Sequence, residues 1–563
     1  MTATRTANRA AQYRTPRGRA HDGRVITLGL NGFAGADHDA AAALVIDGRV
    51  VAAVEEERLN RRRHAPGDEP ALAVPEVLRI AGVKTGDIDA VCHGWRPQAL
   101  GLGLTERHTG EAIRDALASV DVAIPKATPV TFVDHHLAHF WSGVPFIAPG
   151  LARDEVDGLV IDGAGESTSG AYFRLRHGSV EKVWNLGLAG SLGLLYEAAT
   201  SAIGFRRGDE GKTMGLASYG REQAMDRLPA LPDDRFAGLI PVLGDRDEIR
   251  RQHRAGVLRM RALVPAGASF NRRADLALGV QSQVEAQIMG YLGEQTEVPA
   301  AFVLAGGVAL NCSINATVAR WCAGRGAALT IPPPANDGGI AIGAAVAASA
   351  DPASCVAESA FLGRGFTPEE IRSRLAALGA TPLDHSPGEL ADRLVDRDQI
   401  CGWFEGRAEI GPRALGKRAV LARADSTRTR DRLNVLKGRE SWRPLAPSVL
   451  PEEFEASFLG TPSPHMLINC AVATSALRPL AGVVHVDNTA RPQVLGADLA
   501  EGPYVALLRE LRQRTGHAVV TCTSFNPAGQ PIVYSPEDAY RAAVAMGLDL
   551  LAGDGWCVSV PRP

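Results

Sequence analysis

No two of the eight cysteines form a C-x-x-C pair, which excludes a zinc ribbon or a redox dithiol. Their scatter through apolar runs, as for Cys401 in Gln-Ile-Cys-Gly-Trp, suits reduced core thiols in a cytoplasmic compartment. Neither sign of charge dominates. Lys+Arg 60 against Asp+Glu 63 gives a net charge of −3, so no global positive field marks nucleic acid or an anionic membrane as a partner. Any polyanion site must be local. Long apolar runs are also missing, because the stretch from Gly338 to Ala350 falls short of the roughly 18–20 residues that cross a bilayer. Residues 1–23 carry arginines among Thr, Ala and Gln without an apolar segment, so they make no secretory leader and are expected to be a disordered basic tail. What remains is ordinary globular composition, 45% hydrophobic and 22% charged over 563 residues, with room for two to four domains.

The first ordered segment reads as strand Val25–Leu30, a polar turn at Asn31-Gly32, strand Ala41–Ile46, a turn at Asp47-Gly48 and strand Arg49–Glu56. Asp-Gly between apolar runs is a strong hairpin signal. The same grammar returns as strand Gly158–Ile161, Asp162-Gly163, strand Ser169–Leu175, turn His177-Gly178 and strand Ser179–Trp184. Matching spacing and turn chemistry predict two copies of one β-sheet unit facing each other across a cleft. This arrangement resembles the actin-like, sugar-kinase and heat-shock ATPase superfamily. The resemblance implies nucleotide contacts at Gly306, Gly307 and Asn311, in Val303-Leu-Ala-Gly-Gly-Val-Ala-Leu-Asn311, where a strand runs through a Gly-Gly turn into a helix.

After a short strand over Pro129–Val133, Asp134-His135-His136-Leu137-Ala138-His139 begins a helix. Residues i and i+4 share a helix face, so His135 and His139 can aim at one ion while His136 points elsewhere. The bare spacing is equally that of a polar helix start capped by Asp134. Asp162, at the second-repeat turn, and Asp337, in Pro332-Pro-Pro-Ala-Asn-Asp-Gly-Gly339, complete a set of two imidazoles and two carboxylates. Such a set suits iron(II), manganese or zinc.

Together these motifs resemble the O-carbamoyltransferase family of antibiotic biosynthesis and nodulation-factor decoration, whose N-terminal domain is similar to the tRNA threonylcarbamoyl-adenosine transferase. The resemblance implies that His135, His139, Asp162 and Asp337 hold a metal, and that His38, in Gly29-Leu-Asn-Gly-Phe-Ala-Gly-Ala-Asp-His38-Asp39, acts on the acceptor hydroxyl. An imidazole near its ordinary pKa of 6.5 would suit proton removal. Gly208-Asp-Glu-Gly-Lys212-Thr-Met-Gly215 is a second matching segment, which places Lys212 at the nucleotide. It lacks P-loop spacing.

A Ser-, Pro-, Ala- and Glu-rich stretch over 351–365 reads as a linker, separating a transfer domain over 24–350 from a second α/β domain over 366–563. Within that second domain Arg407, Arg413, Lys417, Arg418, Arg423, Lys437, Arg439 and Arg443 fall inside 37 positions, a local anion trap. The run Glu409-Ile-Gly-Pro-Arg-Ala-Leu-Gly416 and the segments around Arg491 and Ser524 resemble the family's YrdC-like C-terminal domain, which binds carbamoyl phosphate and ATP. By that resemblance Lys437, Arg443, Arg491 and Ser524 hold carbamoyl phosphate, Arg418 assists with phosphate, and Mg²⁺ accompanies ATP.

The fold expected is therefore α/β, a duplicated actin-like N-terminal domain followed by a YrdC-like domain. The activity expected is formation of carbamoyl adenylate from carbamoyl phosphate and ATP, then transfer to a hydroxyl of a small natural product. No nucleic acid or membrane partner is expected, and a homodimer stays open. A tRNA threonylcarbamoyl-type transferase is the nearest rival, although it should carry a basic RNA path. A hydrogenase-maturation carbamoyltransferase should bring zinc fingers, and a non-catalytic actin-like scaffold should bind ATP without carbamoyl-phosphate-dependent pyrophosphate release.

Overall fold

The computed structural model describes residues 23–33, 38–100, 103, 105–222, 235–236, 246–383, 385–496, 499 and 501–561. The basic tail expected over 1–23 lies, but for its last residue, outside them. The first sheet has strand order β3-β2-β1-β4-β5, from β1 (Ile26–Asn31), β2 (Ala41–Ile46), β3 (Arg49–Glu55), β4 (Ala90–His93) and β5 (Val130–Phe132). The second sheet runs β11-β10-β6-β7-β8-β9, from β6 (Glu155–Ile161), β7 (Gly170–Arg176), β8 (Ser179–Leu186), β9 (Arg235–Phe236), β10 (Ala301–Ala305) and β11 (Ala328–Thr330). In both sheets a central first strand pairs antiparallel with the second strand of its lobe and parallel with a later one, β1 with β2 and β4, and β6 with β7 and β10. The expected duplication is thus present in the topology. The two hairpins also share turn geometry, since Asp47 and Gly48 have φ of 49° and 76° and His177 and Gly178 have 50° and 76°. Two successive positive values make the tight turn whose twist matches that of paired strands.

The lobes are joined by a helix of small residues, Ile340–Ala347, whose first seven residues are buried. It lies between β1 and the helix His135–Gly143, and glycine makes that approach feasible. A Cβ on Gly29 would stand 1.9 Å from the Ala341 carbonyl oxygen, and one on Gly343 would stand 1.7 Å from that of Ala138. Around this seam, Phe140 stacks on Phe173 with ring centroids 5.2 Å apart. Both rings are fully buried, each adding roughly 2–3 kcal/mol of apolar burial. The helix that carries the histidines is therefore anchored from behind by the core.

The C-terminal unit holds an eight-stranded mixed sheet and a small three-stranded one. Its large sheet is centred on Cys401–Phe404, Arg418–Ala422 and Val519–Ser524. Ser524 thus ends a strand rather than sitting in the following loop. The expected linker is not a free tether. Val356 pairs with Gly48 and Val50 through backbone hydrogen bonds of 2.8 and 2.9 Å, and Ala53 donates to the Leu362 carbonyl, so the segment lies along the outer edge of β3. All eight cysteines are buried and unpaired. Among the described residues no helix is long and apolar enough to cross a membrane.

Candidate active site

His135 and His139 open a helix whose N-cap is Asp134, the carboxylate accepting from the Leu137 amide at 3.0 Å. Both imidazoles point across the seam to the end of β6 and to the loop before Ile340–Ala347. Asp162 Oδ2 lies 3.2 Å from each Nε2, and Asp337 Oδ1 lies 3.8 Å from His135 Nε2 and 3.3 Å from His139 Nε2. One donor atom from each of the four residues falls within 4.8 Å of every other. Two atoms each ~2.1 Å from a shared ion stand roughly 3.0–3.4 Å apart at coordination angles of 90–109°; three of the four separations fall in that range, and the 3.8 Å between His135 and Asp337 corresponds to a wider angle at the same ion. Two nitrogens and two carboxylate oxygens make a borderline donor set suited to a divalent transition ion.

The surroundings hold each donor in place. Asp162 Oδ1 accepts the amides of Gly163 at 2.7 Å and Gly307 at 3.3 Å, leaving Oδ2 for the imidazoles. Gly306 has φ of 91°, and a Cβ there would strike the Ile161 carbonyl at 2.3 Å. The Gly-Gly turn therefore lets the chain close against the Asp162 loop. Trp95 packs over His135 with centroids 3.9 Å apart and donates to Asn31 Oδ1 at 2.9 Å. The Asn31 amide in turn donates to the backbone oxygens of Asp39 and Asp337. Burial alone would lower the His139 pKa, but its hydrogen bonds to the Asp162 and Asp337 carboxylates outweigh that and raise it to about 9. Burial also works against the Asp162 carboxylate, yet the two imidazoles hold it well below the usual range.

His38 lies beside this cluster, with Nδ1 3.2 Å from Asp39 Oδ2. Here an ordinary imidazole pKa does not hold. Burial would lower it, but the Asp39 hydrogen bond and the charges of Asp337 and Asp39 raise it to about 10.

Cations of the C-terminal unit reach the N-terminal unit. The Arg413 guanidinium donates to the Leu310 carbonyl at 3.1 Å, and Arg491 reaches Cys312 Sγ at 3.6 Å, at the entrance to the helix Cys312–Ala323. Arg439 and Arg443 join them. Burial and then the neighbouring guanidiniums hold Arg439 well below its usual pKa, and burial followed by Arg491 and Arg443 brings Arg413 to about 10. Lys437 is pushed down by burial and by Arg439 and Arg443. Its Nζ donates to the Ser524 carbonyl and, at 3.1 Å, to Asn526 Oδ1, which also accepts from Ser524 Oγ at 2.7 Å. Lys437 and Ser524 therefore shape one loop at the edge of a cluster whose open charge is carried by arginines.

Three expectations need correction. Arg418 is 0% exposed, its guanidinium lies 3.7 Å from the Phe404 ring centre, and it donates to the carbonyls of Glu405, Gly406 and Arg364. It braces the C-terminal sheet and cannot meet a phosphate. Asn311 caps the helix Cys312–Ala323 by accepting from Ser313 and Ile314, and donates to Gln281 Oε1 at 2.8 Å, so its amide is already committed. Lys212 bridges Asp209 and Glu440, each at 3.1 Å, and lines a cleft of about 300 Å³ between the two units with Phe205, Phe270 and Trp442. It is a cross-unit ion pair rather than a free cation. Sequence reasoning passed over Trp95, Asn31 and His64, and left Arg413 and Arg439 out of the binding set. The clue for the two arginines was their place in the cation-rich run.

The Carbamoyltransferase N-terminus family model matches residues 96–346, and the Carbamoyltransferase C-terminus model matches 391–559. The chain is 32% identical to nodulation protein NolNO of Sinorhizobium fredii, over 91% of this chain and 77% of that protein. It is 29% identical to nodulation protein U of Rhizobium tropici, over 88% and 90%. It is also 31% identical to 3'-hydroxymethylcephem-O-carbamoyltransferase of Streptomyces clavuligerus, over 62% of this chain and 65% of that one. With both halves matched and a relative above 30% identity aligned along most of its length, the chain belongs to the carbamoyltransferase family.

Proposed function

We propose that the protein is an ATP-dependent O-carbamoyltransferase. Water cleaves carbamoyl phosphate to carbamate and phosphate, a carbamate oxygen attacks the α-phosphorus of ATP to give carbamoyl adenylate with release of pyrophosphate, and a hydroxyl of a small natural product then takes the carbamoyl group with release of AMP. The observation that carries this reading is the convergence of His135, His139, Asp162 and Asp337 together with an arginine cluster that reaches the same strand-to-helix segment, Arg413 donating to Leu310 and Arg491 reaching Cys312, a few residues after the Gly307 amide that donates to Asp162. Guanidiniums that repel one another in a buried place are stabilised by an anion, and phosphate matches their fork geometry. In the first half-reaction they neutralise phosphate charge, with Mg²⁺ accompanying ATP. The quartet would hold iron(II), or manganese or zinc in its place, and such an ion supplies Lewis acidity toward a carbonyl or phosphate oxygen. His38 in its neutral form takes the proton of the attacking hydroxyl; with its pKa raised to about 10 that form is the minor one at neutral pH, so the transfer step is expected to speed up as pH rises toward 10, and the Asp39 carboxylate stabilises the imidazolium that forms. An adenylate that water would destroy calls for a sheltered path between the two clusters.

The test is pyrophosphate release from ATP by the purified full chain, with and without carbamoyl phosphate. Release that depends on carbamoyl phosphate supports the reading. ATP binding without such release would return the chain to the scaffold alternative.

A further inference from the structure

The residue that faces His38 is itself held by a third group from a different stretch of chain. Asp39 Oδ2 receives His38 Nδ1 at 3.2 Å and the Asn336 amide at 3.0 Å, while Asp39 Oδ1 receives His64 Nδ1 at 2.8 Å. The backbone repeats the link, since the Asp39 amide donates to the His64 carbonyl at 2.7 Å. Asp39, His64 and Ala65 all have positive φ, at 56°, 63° and 39°. Left-handed backbone at residues other than glycine costs on the order of 1 kcal/mol or more each, and persists where the surroundings over-determine it. The Asp39 carboxylate is buried, and with His38 and His64 as its neighbours it stays ionised far below the usual range despite desolvation. Glu57 completes the support by accepting the His64 amide at 2.6 Å.

We infer that Asp39 and His64 are positioning residues for His38, forming a His64–Asp39–His38 chain in which His64 fixes the carboxylate and the carboxylate fixes the His38 ring by its Nδ1. The other ring nitrogen, Nε2, is then the atom presented to a reacting hydroxyl. A carboxylate with two rotatable bonds and one partner could swing, whereas one held on both oxygens cannot. The role assigned to His38 rests on the function proposed above, but the chain of contacts does not.

Ring N–H resonances of the ¹⁵N-histidine-labelled full chain test it, with His38 and His64 assigned through His38→Gln and His64→Gln. A ring N–H bonded to a buried carboxylate gives a downfield, slowly exchanging proton, and two such signals are expected. Asp39→Asn should remove both. His64→Ala should shift or broaden the His38 signal, and His64→Gln, which can still donate to Asp39 Oδ1, should restore it. The inference is overturned if the unaltered protein lacks the His38 signal, or if that signal is unchanged in His64→Ala. Asp39→Asn leaving either signal in place would overturn it as well. A His38→Gln protein that still carbamoylates an alcohol would sink the catalytic reading while leaving these signals to decide the positioning.

Discussion

The histidine–aspartate quartet and the arginine cluster are built on opposite electrostatic plans. The quartet of His135, His139, Asp162 and Asp337 pairs acids with bases: the carboxylates raise His139, and the imidazoles hold Asp162 well below the usual carboxylate range. The arginine cluster gathers like charges, and burial together with mutual repulsion depresses Arg413 and Arg439. One is complementary before any ligand arrives and the other is complete only with an anion. The first is thus suited to a resident ion and the second to a substrate that comes and goes.

The largest effect expected from breaking this contrast is at Asp162. Asp162→Ala removes the carboxylate shared by both imidazoles, and should lower metal affinity by more than the roughly 10–100-fold typical of an outer-shell partner. Metal content of the purified protein after dialysis against iron(II), manganese or zinc reads this directly. Retained stoichiometric metal would mean that the quartet is not the site.

Arg439→Met should separate stability from activity. Removing one of several repelling buried cations is expected to raise unfolding free energy by about 1–3 kcal/mol, read from urea melts. The same change should cost carbamoyl-phosphate-dependent pyrophosphate release about 10–100-fold, the equivalent of one charged hydrogen bond of roughly 1.5–3 kcal/mol. A variant that loses both would place Arg439 in the architecture instead.

The pH dependence should distinguish the clusters again. Because His139 is raised from 6.5 to about 9 in the folded chain, its contribution is complete below 6.5 and is lost as pH rises to about 9. Metal-free protein should lose on the order of 2–3 kcal/mol across that window, whereas metal-loaded protein should not, since its imidazoles are already neutral ligands. Equal slopes in the two forms would contradict the expectation. The smallest effect is at Asn311, where Asn311→Ala should lower stability by about 1 kcal/mol, as for a lost helix cap. If ATP affinity falls as well, with little change in melting temperature, the amide contacts nucleotide after all.

How much of this was legible in the sequence followed the range of the interactions. The duplicated sheet was readable because the Asp47-Gly48 and His177-Gly178 turns announce themselves locally. The pairing of His135 and His139 was readable from their i, i+4 spacing on one helix, whereas Asp162 and Asp337 joined them through turn chemistry and the family resemblance rather than through any periodic pattern. Arg418 was misassigned because a guanidinium on a glycine-rich signature looks the same whether it meets phosphate or the carbonyls of its own sheet. Asn311 was misassigned because capping and ligand binding use the same amide atoms. His64 sits at the end of an arginine run that reads as solvated charge, and its bond to Asp39 spans 25 positions, a tertiary fact that no local pattern contains.

The quartet draws on both lobes, with two donors from the helix after β5, one from the turn after β6 and one from the loop leading to Ile340–Ala347. An ion seated there would rivet the clamshell at its pivot, tying positions 135 and 337 across some two hundred residues of chain.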